Sequence, residues 1–380
     1  MNPFRLALDI VKNRSGAVSA PRFVTYLVCY RCNARCKMCD SWRLKPGQEL
    51  TIPEVRTVFR KLGRLDVVRL TGGEPFLRED FAELAEAVVH TSQPGTLHIT
   101  TNGSFPKRVE ALVRSFSTAR RLRFMVSFDG TEAEHDANRG KEVTFQTALE
   151  TVQRLAALRS SHGIEVSINH TVISEQSLLD HSELMKRFTP MGVDVHMVLA
   201  YADSAMYGLK RVGKKAHDLI IPEGYPLHPR LAQADVIGFV QQKLIDVDQM
   251  QDRWLRIGKR YYLRGLLQRL QKQKNPSPSP RCVALRSHLR LLPDGRVPVC
   301  QFNTETVGNL LTQSLEEIWH GEAARTQRAW VDACTGCWAE CEVVPNALYT
   351  GDFLFPRRQR ARTESPPEDT DRKQPLPLSA

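Results

Sequence analysis

Strand-like and helix-like segments alternate along residues 22–201, and this alternation limits the possible fold more than any other feature of the sequence. Strands that alternate with helices predict a parallel sheet whose crossover connections are right-handed. Six strands are predicted, at Phe23–Cys29, Val67–Leu70, Thr96–Thr100, Arg123–Phe128, Ile164–Ile173 and Val193–Leu199.

The helices between these strands are predicted from apolar residues that recur with helical spacing. They cover Ile52–Leu62, Asp80–Thr91, Lys107–Ser115, Thr144–Ser160 and Leu178–Phe188. Six strand–helix units favour an α/β fold built as a partial (β/α)6 TIM-like barrel over a complete eightfold barrel. In such folds function gathers on the loops at the carboxyl ends of the strands.

The nine cysteines fall mainly into two groups with metal-ligand spacing. Cys32, Cys36 and Cys39 form a C-x3-C-x2-C loop directly after the first predicted strand. An odd count with this spacing indicates metal or cluster ligation in a reducing compartment, not disulfides. Three thiolates can hold three corners of a [4Fe–4S] cube and leave one iron open, whereas an electron-transfer cluster takes four cysteines. The second group consists of Cys282, Cys300, Cys334, Cys337 and Cys341.

A zinc site is the alternative interpretation of both groups. Cys29 and Cys32 form a C-x2-C pair that could begin a four-ligand zinc site, and the separated C-terminal cysteines have the logic of a zinc ribbon. Cys29 lies at the end of a strand, however, where a small buried core residue is equally expected. The cysteine loop alone therefore favours the iron–sulfur cube without excluding zinc.

A second motif, Thr71-Gly72-Gly73-Glu74-Pro75, follows the second predicted strand. Its glycines would let a ligand approach the backbone closely, and Glu74 could accept hydrogen bonds from an ammonium group. A turn of this kind has little specificity alone. When the same turn comes one strand after a C-x3-C-x2-C loop, the combination of the two motifs is highly specific.

With both motifs present, residues 21–201 resemble the radical SAM superfamily. The resemblance implies that Cys32, Cys36 and Cys39 ligate a [4Fe–4S] cluster whose open iron binds the amino and carboxylate groups of S-adenosylmethionine (SAM). It also implies contacts to SAM from residues at the strand ends and in the cysteine loop. Near adenine these are Met38, in place of the usual aromatic residue, and main chain near Leu199. The turn of Gly72, Gly73, Glu74 and Pro75 lies near the amino group, and Arg139 lies at the carboxylate. Asn102, Ser127 and Asp129 belong to the strand-end motifs.

The C-terminal cysteines resemble the SPASM and twitch extensions of that superfamily, which carry auxiliary [4Fe–4S] clusters. Cys282 and Cys300 enclose a C-x12-G-x4-C segment. A full SPASM domain holds two clusters on seven cysteines, so the five cysteines here imply one auxiliary cluster, as in the shorter twitch form. Two further ligands come from Cys334, Cys337 and Cys341; the first two are favoured, and Cys341 remains an alternative.

The activity implied by the resemblance is that of a radical SAM oxidoreductase or maturase. A low-potential donor such as flavodoxin or ferredoxin would reduce the first cluster, and SAM would be cleaved to a 5′-deoxyadenosyl radical. That radical would abstract hydrogen from an unidentified small metabolite or peptide, with the auxiliary cluster accepting an electron or binding substrate. One alternative is a radical SAM enzyme that modifies RNA. The other is a non-catalytic iron–sulfur or zinc carrier or scaffold, and the Gly72–Pro75 turn argues against this second alternative.

The predicted division of the chain has five parts. They are a helix-like leader at 1–20, the barrel core at 21–230, a helical bridge and Pro/Ser linker at 231–280, the cysteine-rich domain at 281–355 and a disordered tail at 356–380. The net charge of +11 is interpreted as diffuse surface charge, because no RNA-binding module is evident and no nucleic-acid partner is expected. No apolar run has the length of a membrane span or a signal peptide, so a cytoplasmic protein is predicted.

Overall fold

The structure is a computed structural model that describes residues 2–45, 47–116, 121–140, 143–202, 225–250 and 253–358. Residues 203–224, within the predicted barrel core, and the predicted tail from residue 359 onward lie outside the described residues. The strands are β1 Phe23–Leu27, β2 Val67–Thr71, β3 Thr96–Thr101, β4 Leu122–Phe128, β5 Glu165–Val172, β6 Asp194–Leu199, β7 His288–Leu291, β8 Arg296–Pro298 and β9 Thr306–Asn309. The helices are α1 Pro3–Ser15, α2 Ile52–Leu62, α3 Phe81–Ser92, α4 Pro106–Ser115, α5 Glu132–Arg139, α6 Phe145–His162, α7 Glu175–Phe188, α8 Gln233–Asp248, α9 Arg253–Leu270, α10 Leu315–His320, α11 Glu322–Ala333 and α12 Glu340–Thr350.

A seven-stranded sheet in the order β6-β5-β4-β3-β2-β1-β7 forms the centre of the molecule. All six neighbouring pairs are parallel, with registers such as Phe23 opposite Val67 in β1 and β2. The predicted parallel α/β fold with six strand–helix units and a partial TIM-like barrel is confirmed. Because successive parallel strands all end at one edge, this topology gathers the loops after β1 to β6 at the same end of the barrel.

The seventh strand was not predicted. β7 comes from the C-terminal cysteine region and pairs in parallel with β1, with Phe23 opposite His288. The predicted boundary at residue 281 therefore does not separate two independent sheets. The small antiparallel pair of β8 and β9 follows immediately and precedes the last three helices.

The helices of the barrel begin and end at residues whose chemistry suits helix termini. Thr51 and Glu54 form a capping box at the start of α2, and Thr144 accepts a hydrogen bond from Thr147 N at the start of α6. Gly163 ends α6 in the left-handed conformation. Helix α5 was not predicted because its eight residues are almost all polar and carry no apolar stripe.

The two ends of the described chain pack against each other. Asn13 of α1 is fully buried and donates to Ser287 Oγ at 2.8 Å and to the Tyr349 carbonyl at 2.9 Å. Trp319 Nε1 donates to the Ser19 carbonyl at 2.8 Å. The N-terminal helix is thereby fixed to the C-terminal region by bonds to buried polar groups, which are costly to leave unpaired.

Helices α8 and α9 extend the core beside β6. Trp338, which precedes α12, donates from Nε1 to the Tyr262 carbonyl of α9 at 2.9 Å. The Arg269 guanidinium lies over the same indole ring, 3.8 Å from its centroid, where the ring face attracts a cation. None of the helices in the described ranges is both long enough and apolar enough to cross a membrane.

A buried ion cluster joins α12 to the sheet. Glu342 of α12 accepts from Arg290 Nε of β7 at 2.9 Å and lies 3.1 Å from His288 Nδ1, and the opposite ring nitrogen of His288 lies 3.0 Å from Thr25 Oγ1 in β1. The three charged or titratable residues are only 2–3% exposed. Burial opposes the charge on Glu342, but Arg290 and His288 together bring its pKa down to about 2.

We predict that Glu342→Ala lowers the free energy of unfolding by about 3 kcal/mol, because Arg290 would be left buried without its carboxylate partner. Denaturant unfolding of the full chain measures this change. Glu316→Ala is the control, since the Glu316 side chain is 84% exposed and its removal should have little effect. Equal stability of the two variants would contradict the structural role given to the cluster.

Candidate functional site

A cavity of about 570 Å³ lies inside the partial barrel. Side chains from β1 to β7, the cysteine loop after β1 and the start of α12 line it. Glu74, Pro75, Asp129, Cys282, Cys300, Cys334 and Cys337 are the predicted site residues that do not line it. The predicted site residues that do line it are Cys32, Cys36, Met38, Cys39, Gly72, Gly73, Asn102, Ser127, Arg139, Leu199 and Cys341.

Neighbouring strand-end loops hold the cysteine loop in place. Asn102, after β3, donates from Nδ2 to Asn33 Oδ1 at 2.9 Å and lies 4.0 Å from Cys32 Sγ. From the other side, the end of α5 accepts from the loop, with Arg35 N bonding to the Arg139 carbonyl at 2.9 Å. The three thiols are therefore presented to the cavity on a loop that is fixed at both flanks.

Burial favours the uncharged form of two thiols that face the cavity, Cys32 and Cys36. It raises the pKa of Cys32 to about 11 and that of Cys36 to about 12, although Arg139 partly offsets the second shift. A metal centre takes thiols of this kind as thiolates because it supplies the missing positive charge. The donor set at this end of the cavity is thus suited to iron.

Cys29 is different from the three cysteines of the loop. It is fully buried and does not line the cavity, and its thiol donates to the Glu74 carbonyl at 3.4 Å and the Arg31 carbonyl at 3.6 Å. Burial also raises its pKa, to about 12. Cys29 thus behaves as a core residue with a weak donor, so a zinc site built on a Cys29–Cys32 pair lacks support.

The Gly72-Gly73 turn lies directly against the base of the cysteine loop. Gly73 N donates to the Cys29 carbonyl and Glu74 N donates to the Arg31 carbonyl, both at 2.8 Å. A Cβ atom on Gly73 would lie 2.0 Å from the Arg31 carbonyl oxygen, and one on Gly72 would lie 2.4 Å from that of Cys29. Both positions require glycine because two backbones meet there.

The Glu74 carboxylate does not face the cavity. It is fully buried and accepts from Phe76 N at 3.1 Å, Thr101 Oγ1 at 2.8 Å and Asn102 N at 2.7 Å. Burial raises its pKa to about 7 despite these donors. The sequence predicts that this side chain could accept hydrogen bonds from an ammonium group. In the structure, the donors that surround it belong to the protein instead. Its carboxylate ties the turn after β2 to the loop after β3.

Arg139 is the cation at the cysteine end of the cavity, and Asp129 orients it. Arg139 Nε and Nη2 donate to the two carboxylate oxygens of Asp129, each at 2.7 Å, and Asn138 Nδ2 adds a bond of 2.6 Å. Burial opposes the charge on Asp129, but the adjacent guanidinium keeps the pKa of that carboxyl below its usual range. A bidentate pair of this kind fixes the plane of the guanidinium.

Met38 and Leu199 both lie on the cavity wall, and one main-chain group at Leu199 is already bonded. The Leu199 carbonyl accepts from the Tyr225 hydroxyl at 2.7 Å. The Met38 thioether lies 3.3 Å from Asn138 Nδ2, which stabilises its position beside the cysteine loop.

The C-terminal cysteines divide into four that lie away from the cavity and one that faces it. Burial raises the pKa of Cys282, Cys300 and Cys337. The charge of Cys334 raises the pKa of Cys282 and Cys300 further, and the charges of Cys300 and Cys282 raise that of Cys337. Cys341 lines the cavity, and its thiol donates to Gln301 Oε1 at 3.1 Å.

No three His, Cys, Asp or Glu side chains among the described residues converge as the ligands of a single metal ion would. The cysteines of a [4Fe–4S] cube each bind a different iron, so a cube does not require such convergence.

Several residues that build the site were not singled out from the sequence. Asn33, Trp42 and Asn138 hold the cysteine loop, and Trp42 Nε1 donates to the Cys36 carbonyl at 3.4 Å. Arg69 stands among the apolar residues of β2, and a charged residue in a central parallel strand is a signal that could have identified it. Asn33 and Asn138 have no signal in the sequence because their partners are distant in the chain, and Trp42 has none although its partner Cys36 is only six residues away.

Comparison with known proteins agrees with this geometry. The sequence model of the radical SAM superfamily matches residues 26–188, and that of an iron–sulfur cluster-binding domain named SPASM matches residues 282–338. The chain therefore has a radical SAM domain at residues 26–188 and a SPASM domain at residues 282–338. The cofactors implied by the two domains are a [4Fe–4S] cluster with SAM and an auxiliary iron–sulfur cluster.

Among its relatives, GTP 3′,8-cyclase of Aquifex aeolicus is 30% identical over 181 residues, or 44% of this chain and 53% of the relative. Mycofactocin maturase MftC of Mycobacterium tuberculosis is 28% identical over 184 residues, or 47% of this chain and 45% of the relative. The chain spans about half the length of these curated relatives. The crystal structure of Streptococcus suis SuiB bound to S-adenosylmethionine shares the fold, with a TM-score of 0.58 and 14% identity over 84% of this chain and 70% of SuiB.

We predict that Gly73→Ala displaces the cysteine loop, because the added Cβ would overlap the Arg31 carbonyl oxygen. After anaerobic reconstitution, iron bound per chain should fall, as measured by iron and sulfide analysis. The control is Gly47→Ala, since a Cβ on Gly47 meets nothing within 4 Å. Full iron content in Gly73→Ala would show that the loop does not depend on this backbone contact.

Proposed function

We propose that this chain is a radical SAM enzyme that acts on a peptide or a small metabolite. The cofactors, when bound, supply reductive cleavage of SAM and abstraction of hydrogen from an unactivated carbon. The observation that carries the proposal is the placing of three half-buried thiols, an oriented arginine and a bare glycine backbone on one cavity. A carrier or scaffold needs no such cavity beside its cluster.

In this proposal Cys32, Cys36 and Cys39 hold the first cluster, and the chain's own groups bind and orient SAM. Arg139 binds the SAM carboxylate, and Asp129 fixes the guanidinium for that contact. The backbone of Gly72 and Gly73 borders the SAM amino group. Ser127 and Asn102 contact SAM at the ribose and carboxylate. Met38 and main chain near Leu199 contact adenine. Glu74 and Pro75 support the turn.

We assign the auxiliary cluster to Cys282, Cys300, Cys334 and Cys337, within a domain at residues 281–355. Beyond the effect of burial, Cys334 raises the pKa of Cys282 and of Cys300, and Cys300 and Cys282 raise that of Cys337, which supports one common site. The exposure of Cys341 to the cavity supports leaving it out of the ligand set. The electron donor would be a low-potential protein such as flavodoxin or ferredoxin.

A peptide or small-molecule substrate is supported by the relatives. One is named as a mycofactocin maturase, another as a GTP cyclase, and SuiB is also known in complex with its precursor peptide SuiA. The cavity is about 570 Å³, which is the size range of pockets for small ligands or for a single inserted side chain. We therefore propose that the reacting part of the substrate enters the barrel.

The proposal predicts that reconstituted protein with SAM and dithionite forms 5′-deoxyadenosine and that Cys36→Ala forms none, because one corner of the cube is lost. Chromatographic detection of 5′-deoxyadenosine makes the measurement. Cys29→Ala is the matched control and should retain cleavage, since Cys29 donates only to backbone carbonyls. Cleavage in Cys36→Ala, or its loss in Cys29→Ala, would contradict the ligand assignment.

A second prediction concerns the auxiliary cluster. Cys300→Ala should lower bound iron by about one cluster, whereas Cys341→Ala should leave the iron content unchanged because that thiol faces the cavity. Iron and labile sulfide per chain, measured on anaerobically reconstituted protein, compare the two variants. If Cys341→Ala lost as much iron as Cys300→Ala, the proposed set of four ligands would be wrong.

A further inference from the structure

A buried amide whose N–H group lacks an acceptor faces the cavity at the floor, the end of the cavity beside α12. Gln301 is 2% exposed and lines the cavity, and its Oε1 accepts from Arg290 Nη2 at 3.2 Å and from Cys341 Sγ at 3.1 Å. These donors fix which end of the amide is oxygen. Its Nε2 group has no hydrogen-bond partner in the described part of the chain. A buried N–H without an acceptor is costly, which indicates that something else supplies the acceptor.

A cation without a carboxylate partner lies close by. Arg69 of β2 lines the cavity, donates from Nε to His98 Nδ1 at 3.2 Å and lies with Nη1 3.5 Å from the Cys341 carbonyl. No carboxylate of the described residues is within ion-pair distance of it. Arg290 on the neighbouring wall differs, because Glu342 neutralises it.

Cys341 brings these two groups together, since Arg69 contacts its carbonyl and Gln301 contacts its thiol. Of the acids near Arg69, Glu342 pairs with Arg290, and Glu340 approaches His196 Nδ1 at 3.8 Å. Arg69 precedes Gly72 by three residues, so it lies about 10 Å along the strand from the Gly72-Gly73 turn. That separation leaves room for a substrate between the turn and the floor.

We propose that Arg69 and Gln301 form a subsite that binds a carboxylate group of the substrate. Arg69 supplies the charge, Gln301 donates from Nε2, and the contacts of Arg290 and Cys341 with Oε1 keep the amide turned toward the cavity. The subsite deepens the proposed function, on which it rests, by assigning a carboxylate-bearing compound or peptide as the substrate class. When its carboxylate is bound at the floor, the rest of such a substrate extends toward the cysteine end of the cavity.

The experiment uses a matched pair of probes, N-acetylglycine and its neutral amide N-acetylglycinamide. Each is titrated calorimetrically into anaerobically reconstituted full-length protein without SAM. The subsite predicts that the carboxylate binds about tenfold more tightly than the amide, because a charged acceptor pairs with Arg69. Equal affinity for the two probes, or no binding of the carboxylate, would overturn the proposal.

Variants localise the effect. Arg69→Gln and Gln301→Leu should each weaken N-acetylglycine binding by about tenfold, because each removes a donor to the carboxylate. Arg123→Gln is the control and should keep the wild-type affinity, since Arg123 lines the same cavity but pairs with Glu165 at 2.9 Å. A loss in Arg123→Gln equal to that in Arg69→Gln would overturn the subsite in favour of general charge attraction. If one of the two variants fails to fold, the other decides, because Arg139 could hold the carboxylate probe in the wild-type protein when SAM is absent.

The outcome is separable from that of the proposed function. The titration contains no SAM and no reductant, whereas SAM cleavage is measured on proteins in which Arg69 and Gln301 are unchanged. Selective carboxylate binding without 5′-deoxyadenosine formation would support the subsite and count against the radical chemistry. Cleavage of SAM without selective carboxylate binding would overturn the subsite and leave the proposed function in place.

Discussion

The close contact between the cysteine loop and the Gly72-Gly73 turn is the constraint on which the rest of the site depends. Two backbone hydrogen bonds of 2.8 Å join them, and no side chain fits between them. Glu74 extends the same junction to the loop after β3, where Asn102 reaches toward Cys32. Three successive strand ends are thereby locked into one surface, and the thiols are positioned by rigid parts of the barrel and not by a free loop.

The C-terminal region completes the cavity from the other side. β7 adds to the open edge of the sheet next to β1, and Glu342 fastens α12 to it through buried bonds to Arg290 and His288. This arrangement places Gln301 and Cys341 on the cavity wall. Cys300, which directly precedes Gln301, does not line the cavity. One short segment therefore borders both the proposed auxiliary cluster and the proposed substrate, which suits a cluster that exchanges an electron with substrate.

Much of this could be predicted from the sequence, because the informative signals were local. The six strands of the barrel and the helix at Ile52–Leu62 follow from local pattern, and the cysteine and Gly-Gly-Glu-Pro motifs identified the family. The role of Glu74 could not be predicted, since its partners Thr101 and Asn102 lie almost thirty residues away. β7 has only four residues and is a strand because β1 offers it an edge, and α5 lacks an apolar stripe.

The central claim is that one of two clusters has an iron that SAM can reach. Electron paramagnetic resonance of the dithionite-reduced protein, recorded with and without SAM, tests it most directly. The account predicts signals from two reduced clusters, of which SAM alters one and leaves the other unchanged, with the SAM-sensitive signal missing in Cys36→Ala. Cluster signals that SAM does not change at all would contradict the account, because an open iron on the cavity would then not bind SAM.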